Sequence, residues 1–237
     1  MLFISVDRFF DVFYYFGYAI LILAVIFTVI AQIRVQTTFR RYSNVMSQNG
    51  KTGADVARLV LASNGVNDVR IERVSGNLTD HFDPRTNTIR LSENVYDSAS
   101  VAAAGVAAHE AGHAVQYATG YFPIRVRSAV IPATNIASRL AVPLLFIGFF
   151  FEIAGFIWLG IFAYSFSVLF QLITLPCEFN ASRRALVAIE ESGSFSDDEH
   201  RSARRVLTAA AMTYVAALAV SLVYLLRYIA LARRRNR

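Results

Sequence analysis

The chain has 237 residues, 55% of them hydrophobic and only 17% charged, with a formal net charge of +6. Soluble domains carry about 25% charged residues, so a mean hydropathy of +0.44 excludes a disordered chain and argues against a water-soluble globule. A single cysteine, Cys177, excludes a disulfide framework and any zinc module built on several thiolates. What remains is an integral membrane protein with room for one small polar domain.

The first apolar tract, 9–31, holds Asp11 near its start. Crossing about 30 Å of hydrocarbon takes roughly 20 helical residues, and the tract is long enough. Asp7 and Arg8 ahead of it do not make the net basic start of a signal peptide, so it reads as a retained span. In the polar stretch that follows, 53–64 carries a stripe of Ala54, Ala57 and Leu61 and stops at Asn64-Gly65, which predicts a short amphipathic helix. Residues 69–74 and 87–91 alternate as strands. The turn signals Gly76-Asn77 and Asp83-Pro84 between them predict a β-hairpin with a long tip. Residues 98–118 read as an alanine-rich helix capped by Ser98 or Ser100.

The second tract, 131–175, contains Arg139 and Glu152 and is too long for one helix. A bend at 151–155 predicts a hairpin of spans, 131–151 and 155–175. The last tract, 207–231, precedes Arg233, Arg234 and Arg235, and Arg227 is expected to snorkel to the interface. The predicted fold is mainly α, with about four transmembrane helices and a small α+β domain containing a β-hairpin. Its parts are 1–31, 32–128, 129–175, 176–206 and 207–237. Four crossings leave both termini on one side and the two polar stretches together on the other. Arginines at span ends are more numerous on the polar-domain side, among them Arg34, Arg40, Arg41, Arg125, Arg127, Arg183 and Arg184. This places the polar domain in the cytoplasm, against the counter-indication of the tail Arg233, Arg234, Arg235 and Arg237. Arginine flanking a bilayer accounts for the basic balance, and no aromatic-basic motif points to nucleic acid.

The chemistry sits in His109-Glu110-Ala111-Gly112-His113. Positions i and i+4 of a helix share a face, so two imidazoles can hold one zinc ion at about 2.0–2.1 Å. Glu110 flanks the metal and is placed to accept a proton from a zinc-activated water, then deliver it to the leaving amine. A helix that merely happens to carry these residues is a poor alternative. Its other positions are nearly all Ala, Val and Gly, and two of the chain's four histidines lie in this pentapeptide.

Catalytic zinc needs a third protein ligand. The positions where a three-histidine metzincin has Gly and His hold Gln116 and Thr119, which excludes that class. The candidates are Glu178, Glu190, Glu191, His200, His81, Asp97 and Cys177. Glu178 is the strongest: it follows Pro176 at the exit of the hairpin and opens a returning helix, where the dipole favours a carboxylate. Glu190, Glu191, Asp197, Asp198 and Glu199 read as a solvated charge run, His200 as a surface histidine within it, and Cys177 as a buried thiol.

One span followed by TFRRYS, TGADVARLVL, LTDHFDP, IRLSENVY and AAHEAGHAVQ, then an apolar hairpin, LPCEFNASRRAL and a last span with AAAMTYVAAL, resembles the YugP-type neutral zinc metallopeptidases of prokaryotic membranes. The resemblance runs from about Ala31 to Leu226. It implies that the α+β domain is a zincin-like metalloprotease domain, a gluzincin with one zinc per chain, ligands His109, His113 and Glu178, and Glu110 as catalytic base. Its substrates are then proteins or peptides at the membrane. The chain is more distantly similar to the HtpX-type membrane proteases, whose aspartate four residues after the glutamate ligand is here Ser182. Asn180 or Asp97 is then expected to take over the orienting of a ligand.

His81, in LTDHFDP, is expected either to steady an oxyanion or to satisfy Asp80 and Asp83 in a tight turn. Arg183 and Arg184 are expected to reach the site or to contact lipid phosphate, and Tyr214 to offer a hydroxyl or anchor an interface. Strand residues Thr88, Ile89 and Arg90 are expected to pair with substrate backbone as an edge strand. Two rival readings are weaker. A zinc-stapled scaffold or adaptor leaves Glu110 without a task, and a transporter has only Arg139 and Glu152 as intramembrane charges.

Overall fold

The computed structural model describes residues 6–77 and 79–235. Leu78 of the LTDHFDP turn and Arg237 of the tail lie outside them. The elements in order are α1 (Val6–Tyr15), α2 (Gly17–Ser43), α3 (Gly53–Ser63), β1 (Arg70–Val74), β2 (His81–Asp83), β3 (Thr88–Ser92), α4 (Glu93–Tyr96), α5 (Val101–Ala118), α6 (Phe122–Phe150), α7 (Ala154–Glu191) and α8 (Asp197–Arg235). Among the described residues, α2, α6, α7 and α8 are long and apolar enough to cross a membrane. The chain divides into two compact units, one of 1–30, 126–174 and 213–237, the other of 31–125 and 175–212.

The first unit is apolar on its outside. Ile22, Leu23, Phe146, Phe150, Phe162 and Leu172 are exposed, as expected where lipid is the solvent. Small residues bring its helices together. A β-carbon on Gly148 would lie 2.6 Å from the Ile157 amide nitrogen, and one on Gly160 would lie 2.9 Å from that of Leu145. The bend between α6 and α7 has Glu152 at φ 64°, and its carboxylate pairs with Arg235 at 3.1 Å. One expectation is corrected in this unit. The tract 9–31 is not one straight span. A bend at Phe16-Gly17 separates α1 from α2, although Phe16 N–H still donates to Val12 at 2.8 Å and Ile20 N–H to Phe16 at 3.0 Å. Arg227, near the end of α8, is 7% exposed, and its guanidinium lies 3.5 Å from the centre of the Tyr18 ring, a cation–π contact.

The second unit is built around α5. Thr52 and Asp55 form a capping box at the start of α3, and the Ser100 hydroxyl caps α5 by accepting from Ala103 N–H at 3.2 Å. Val56 and Val60 of α3, Leu91 of β3, Ala107 and Val115 of α5 and Ile189 of α7 are among the residues of its core. The sheet order is β1-β3-β2. β3 runs parallel to β1 and antiparallel to β2.

The expected hairpin between 69–74 and 87–91 is therefore corrected. Residues 81–83, read as part of the tip, form a strand of their own, and the tight turn after Asp83, with Asn87 at φ 49°, makes β2–β3 the hairpin. Three helix boundaries also move. α2 runs on to Ser43, α8 starts at Asp197, and α7 passes Pro176 without restarting. Proline removes one helical hydrogen bond, yet Cys177, Glu178, Ala181 and Ala185 just beyond it are buried and hold the helix. Glu178 thus sits inside a helix, not at its start. Glu199 is not solvated either. It is 6% exposed and accepts Gln48 N–H at 2.7 Å and Ser196 N–H at 2.7 Å.

Candidate metal centre

Two helices of the second unit meet backbone to backbone. At Gly112 of α5 a β-carbon would stand 2.6 Å from the Ala181 carbonyl oxygen of α7. This close approach lets the i, i+4 pair His109 and His113 face Glu178 and Ser182, themselves one turn apart on α7. His109 Nε2 is 3.2 Å from Glu178 Oε2 and His113 Nε2 is 3.5 Å from the same oxygen. One ligand atom from each residue lies within 4.8 Å of the others. Glu178 is 2% exposed.

The far side of each ring is also held. His109 Nδ1 is 3.1 Å from the Ser182 hydroxyl, and His113 Nδ1 is 3.0 Å from Gln116 Oε1. With each Nδ1 partnered on its far side, both Nε2 atoms face the same carboxylate oxygen. Two imidazole nitrogens and one carboxylate oxygen at this separation fit zinc. Burial opposes charging of His113, but Glu178, Glu110 and Gln116 outweigh it and raise its titration above the ordinary imidazole range.

Glu110 is 9% exposed and lies outside this group. Its Oε2 accepts the Phe82 N–H of β2 at 3.0 Å, and the Phe82 ring packs on Tyr117 of α5 at 5.5 Å. Asp80, just before β2, accepts Ser92 N–H at 2.7 Å and the Ser92 hydroxyl at 3.0 Å. Its burial pushes the carboxyl titration up.

The other expected site residues go elsewhere. His81 is exposed, and its Nδ1 is 2.8 Å from the Thr79 carbonyl. Phe82, not His81, turns its side chain toward α5. Asp83 instead binds Thr86, Arg90 and the Arg85 N–H, which together lower its titration to about 2. Thr88, Ile89 and Arg90 cannot meet substrate as an edge, since β3 is the central strand. Thr88 and Ile89 are fully buried, and Arg90 pairs with Asp83 at 3.0 Å. Asp97 pairs with Arg73 at 3.2 Å. Arg184 reaches Asn180, donating from Nε to Oδ1 at 2.9 Å. Arg183 lines two clefts beside α7. His200 lies 3.9 Å from Glu190.

Sequence reasoning missed Gln116 and the contacts of Ser182 and Phe82. Gln116 had a signal: a polar residue one turn after His113 on a helix with almost no other polar position.

A sequence model described as "Putative neutral zinc metallopeptidase" matches residues 17–233. The chain belongs to this family. His109, Glu110, His113 and Glu178 all lie within the matched range. The "Putative membrane protease YugP" of Bacillus subtilis (strain 168) is 47% identical over 200 residues, which cover 84% of this chain and 88% of that protein. No solved structure matches the chain. The family description, the His109–His113–Glu178 group and the four apolar helices agree on a membrane zinc metallopeptidase family member.

Proposed function

We propose that the protein is a zinc-dependent metalloendopeptidase that hydrolyses peptide bonds of membrane-associated or misfolded proteins. His109, His113 and Glu178 hold one zinc ion, and Glu110 acts as the general base. The observation that carries this reading is the division of labour among the acids. Glu178 lies against both histidines at 3.2 Å and 3.5 Å, while Glu110, adjacent in sequence to His109, points to the outer edge of β2. Zinc, when bound, supplies the Lewis acid that makes water acidic enough to ionise near neutral pH.

Glu110 is half of the remaining chemistry. It takes the proton from the attacking water and returns it to the departing amine. Phe82 N–H orients the carboxylate in the resting state. β2 is the outer strand next to α5, so substrate backbone lies along it as an added strand, an assignment that moves from Thr88, Ile89 and Arg90 to the segment around Phe82. Recognition through main chain suits unfolded segments of many sequences. Glu178 follows the end of an apolar tract by a few residues, which supports substrates at the membrane. The arginine balance supports a cytoplasmic face in a multi-pass protein of the cell membrane.

The test compares wild type with Glu110→Gln in detergent, by zinc content and by degradation of an unfolded membrane protein. The variant is expected to keep one zinc and lose about 10²–10⁴-fold in rate. Equal proteolysis by the two would refute the assignment of the base. Zinc retention with no proteolysis by either would favour a zinc-stapled scaffold.

A further inference from the structure

We infer that the cleft between α7 and α8 binds one anionic phospholipid, with the phosphate on Arg183 and Arg204 and an acyl chain along the apolar wall beside Phe179 and Met212. The inference goes beyond the proposed peptidase and does not depend on it, since His109, His113 and Glu178 do not line this cleft.

The cleft lies wholly within the second unit. Its volume is about 350 Å³, inside the roughly 300–1,000 Å³ range of small-molecule sites. Each wall is one face of a helix. Phe179, Arg183 and Val187 stand at i, i+4 and i+8 on α7, and Arg204, Thr208 and Met212 repeat that spacing on α8. The helices run in opposite directions, because His200 near the start of α8 lies 3.9 Å from Glu190 near the end of α7. Phe179 and Met212 therefore share one end of the cleft, and Glu190 and Arg204 the other.

The charge of the cleft calls for an anion. Arg183 and Arg204 are exposed, and among the described residues neither has an ion-pair or hydrogen-bond partner. Their neighbours are engaged. Arg184 donates to Asn180 at 2.9 Å, Arg205 donates to the Tyr42 hydroxyl at 2.9 Å, and Arg201 pairs with Asp198. The carboxylate that lines the cleft, Glu190, sits at its far end beside His200. Two guanidiniums against one acid leave the cleft positive, and a guanidinium matches phosphate oxygens with parallel N–H donors. Thr208 adds a hydroxyl on the Arg204 wall.

The apolar end says which anion. Phe179 is 49% exposed although it lies beyond the apolar tract that ends near 175, and exposed apolar surface marks a contact. α7 leaves one apolar tract near 175 and α8 enters the next near 207, so the Phe179 and Met212 end is the one nearest the hydrocarbon. At 1.5 Å per residue, Arg183 stands about 6 Å beyond Phe179 and Arg204 about 12 Å beyond Met212. A phosphate held at that height directs its acyl chain past Phe179 and Met212 toward the bilayer. A free anion leaves the apolar wall uncovered, and a neutral lipid leaves the excess charge unmatched.

The experiment uses the full-length chain, stripped of lipid in a neutral detergent and titrated with phosphatidylglycerol or phosphatidylcholine, while native mass spectra count the lipids bound. Wild type is expected to take up one phosphatidylglycerol saturably and to bind phosphatidylcholine about fivefold more weakly, the worth of one charge at a membrane surface. Arg183→Gln/Arg204→Gln is expected to weaken phosphatidylglycerol about 30-fold, the worth of two. Arg34→Gln/Arg40→Gln removes the same charge from α2 and should leave the first site unchanged. Thr208→Trp, at an exposed position, should fill the cleft and block it. Glu190→Gln should tighten phosphatidylglycerol.

Equal affinity for the two lipids would overturn the inference. So would an equal loss in the Arg34/Arg40 variant, which would reduce the effect to general surface charge, or a loss in Glu190→Gln, which would give the site to a headgroup amine. Inorganic phosphate that binds as tightly as the lipid would make the occupant a free anion, and a dimer that Thr208→Trp dissociates would make it a second copy; either overturns the lipid. If the Arg183/Arg204 variant does not fold, Arg204→Gln alone and Thr208→Trp decide. Weaker binding in both supports the site, and unchanged binding in either overturns it. Zinc content enters none of these readouts, so the peptidase reading stands or falls separately.

Discussion

Gly112 and Ala181 touch main chain to main chain, and a β-carbon on Gly112 would lie 2.6 Å from the Ala181 carbonyl oxygen. That contact fixes how near α5 can come to α7 and hence how near both histidines come to Glu178. Gly112→Ala must push the helices apart. Overpacking of this kind costs about 1–3 kcal/mol, and metal sites tolerate only about 0.2 Å of error in ligand distance. The variant is expected to melt lower and to bind less than one zinc per chain. Gly105→Ala is the control on the same helix, since its β-carbon would meet Ala203 at an ordinary 3.7 Å. That control should bind zinc normally and gain up to about 1 kcal/mol from helix propensity. Thermal melts and zinc stoichiometry of both variants check the pair; equal zinc content in both would remove the helix approach as a determinant.

Zinc should also tie the two helices together. A ligand that binds only the folded state stabilises it by about 2.7 kcal/mol at 100 times its dissociation constant. Chelation is thus expected to lower the melting temperature of wild type. Glu178→Ala, which removes the carboxylate 3.2 Å from His109, should melt at the same temperature with and without chelator. A chelator-sensitive Glu178→Ala protein would mean that the histidines find their third ligand elsewhere.

Hydropathy made the four spans readable, because lipid selects for apolar sequence along a whole tract. It did not mark where the helices end. α2, α7 and α8 continue past their apolar tracts, since backbone hydrogen bonding persists after the solvent changes. The i, i+4 spacing of His109 and His113 was readable for the same local reason. The approach of Glu178 across more than sixty positions was not; it depends on Gly112 and Ala181 meeting, and it entered the sequence reading through family likeness and chain placement. Strand pairing failed because β2 has only three residues, too few to show alternation. Glu199 looked solvated because its partners, Gln48 N–H and Ser196 N–H, are backbone groups that composition does not reveal.

Ser182 offers a graded test of the site. Its hydroxyl, 3.1 Å from His109 Nδ1, is a neutral acceptor where a carboxylate would be a stronger one. Ser182→Ala is expected to weaken zinc binding about tenfold, the low end for an outer-shell partner, while Ser182→Asp should bind zinc at least as tightly as wild type. Chelator competition on the three proteins checks the order. An Asp variant no better than Ala would show that His109 draws no orientation from this position.

Asp80 gives the stability a pH dependence of definite sign. Burial is the largest influence on its carboxyl group and raises its titration above the ordinary 3.8, against the hydrogen bonds from Ser92. A raised acid means that the folded protein holds a proton the unfolded chain has released. Stability therefore falls as pH rises from about 3.8 through the folded titration, and the cost stays in place above it. Asp80→Asn keeps an oxygen for Ser92 N–H and its hydroxyl, now 2.7 Å and 3.0 Å from Asp80 Oδ1, and removes the charge. The variant is expected to be more stable than wild type at neutral pH, with the difference shrinking as pH falls toward 3.8. Melting temperatures of both proteins across that range check the sign. A wild-type advantage at neutral pH would mean that the charged hydrogen bonds to Ser92 outweigh the burial of the carboxylate.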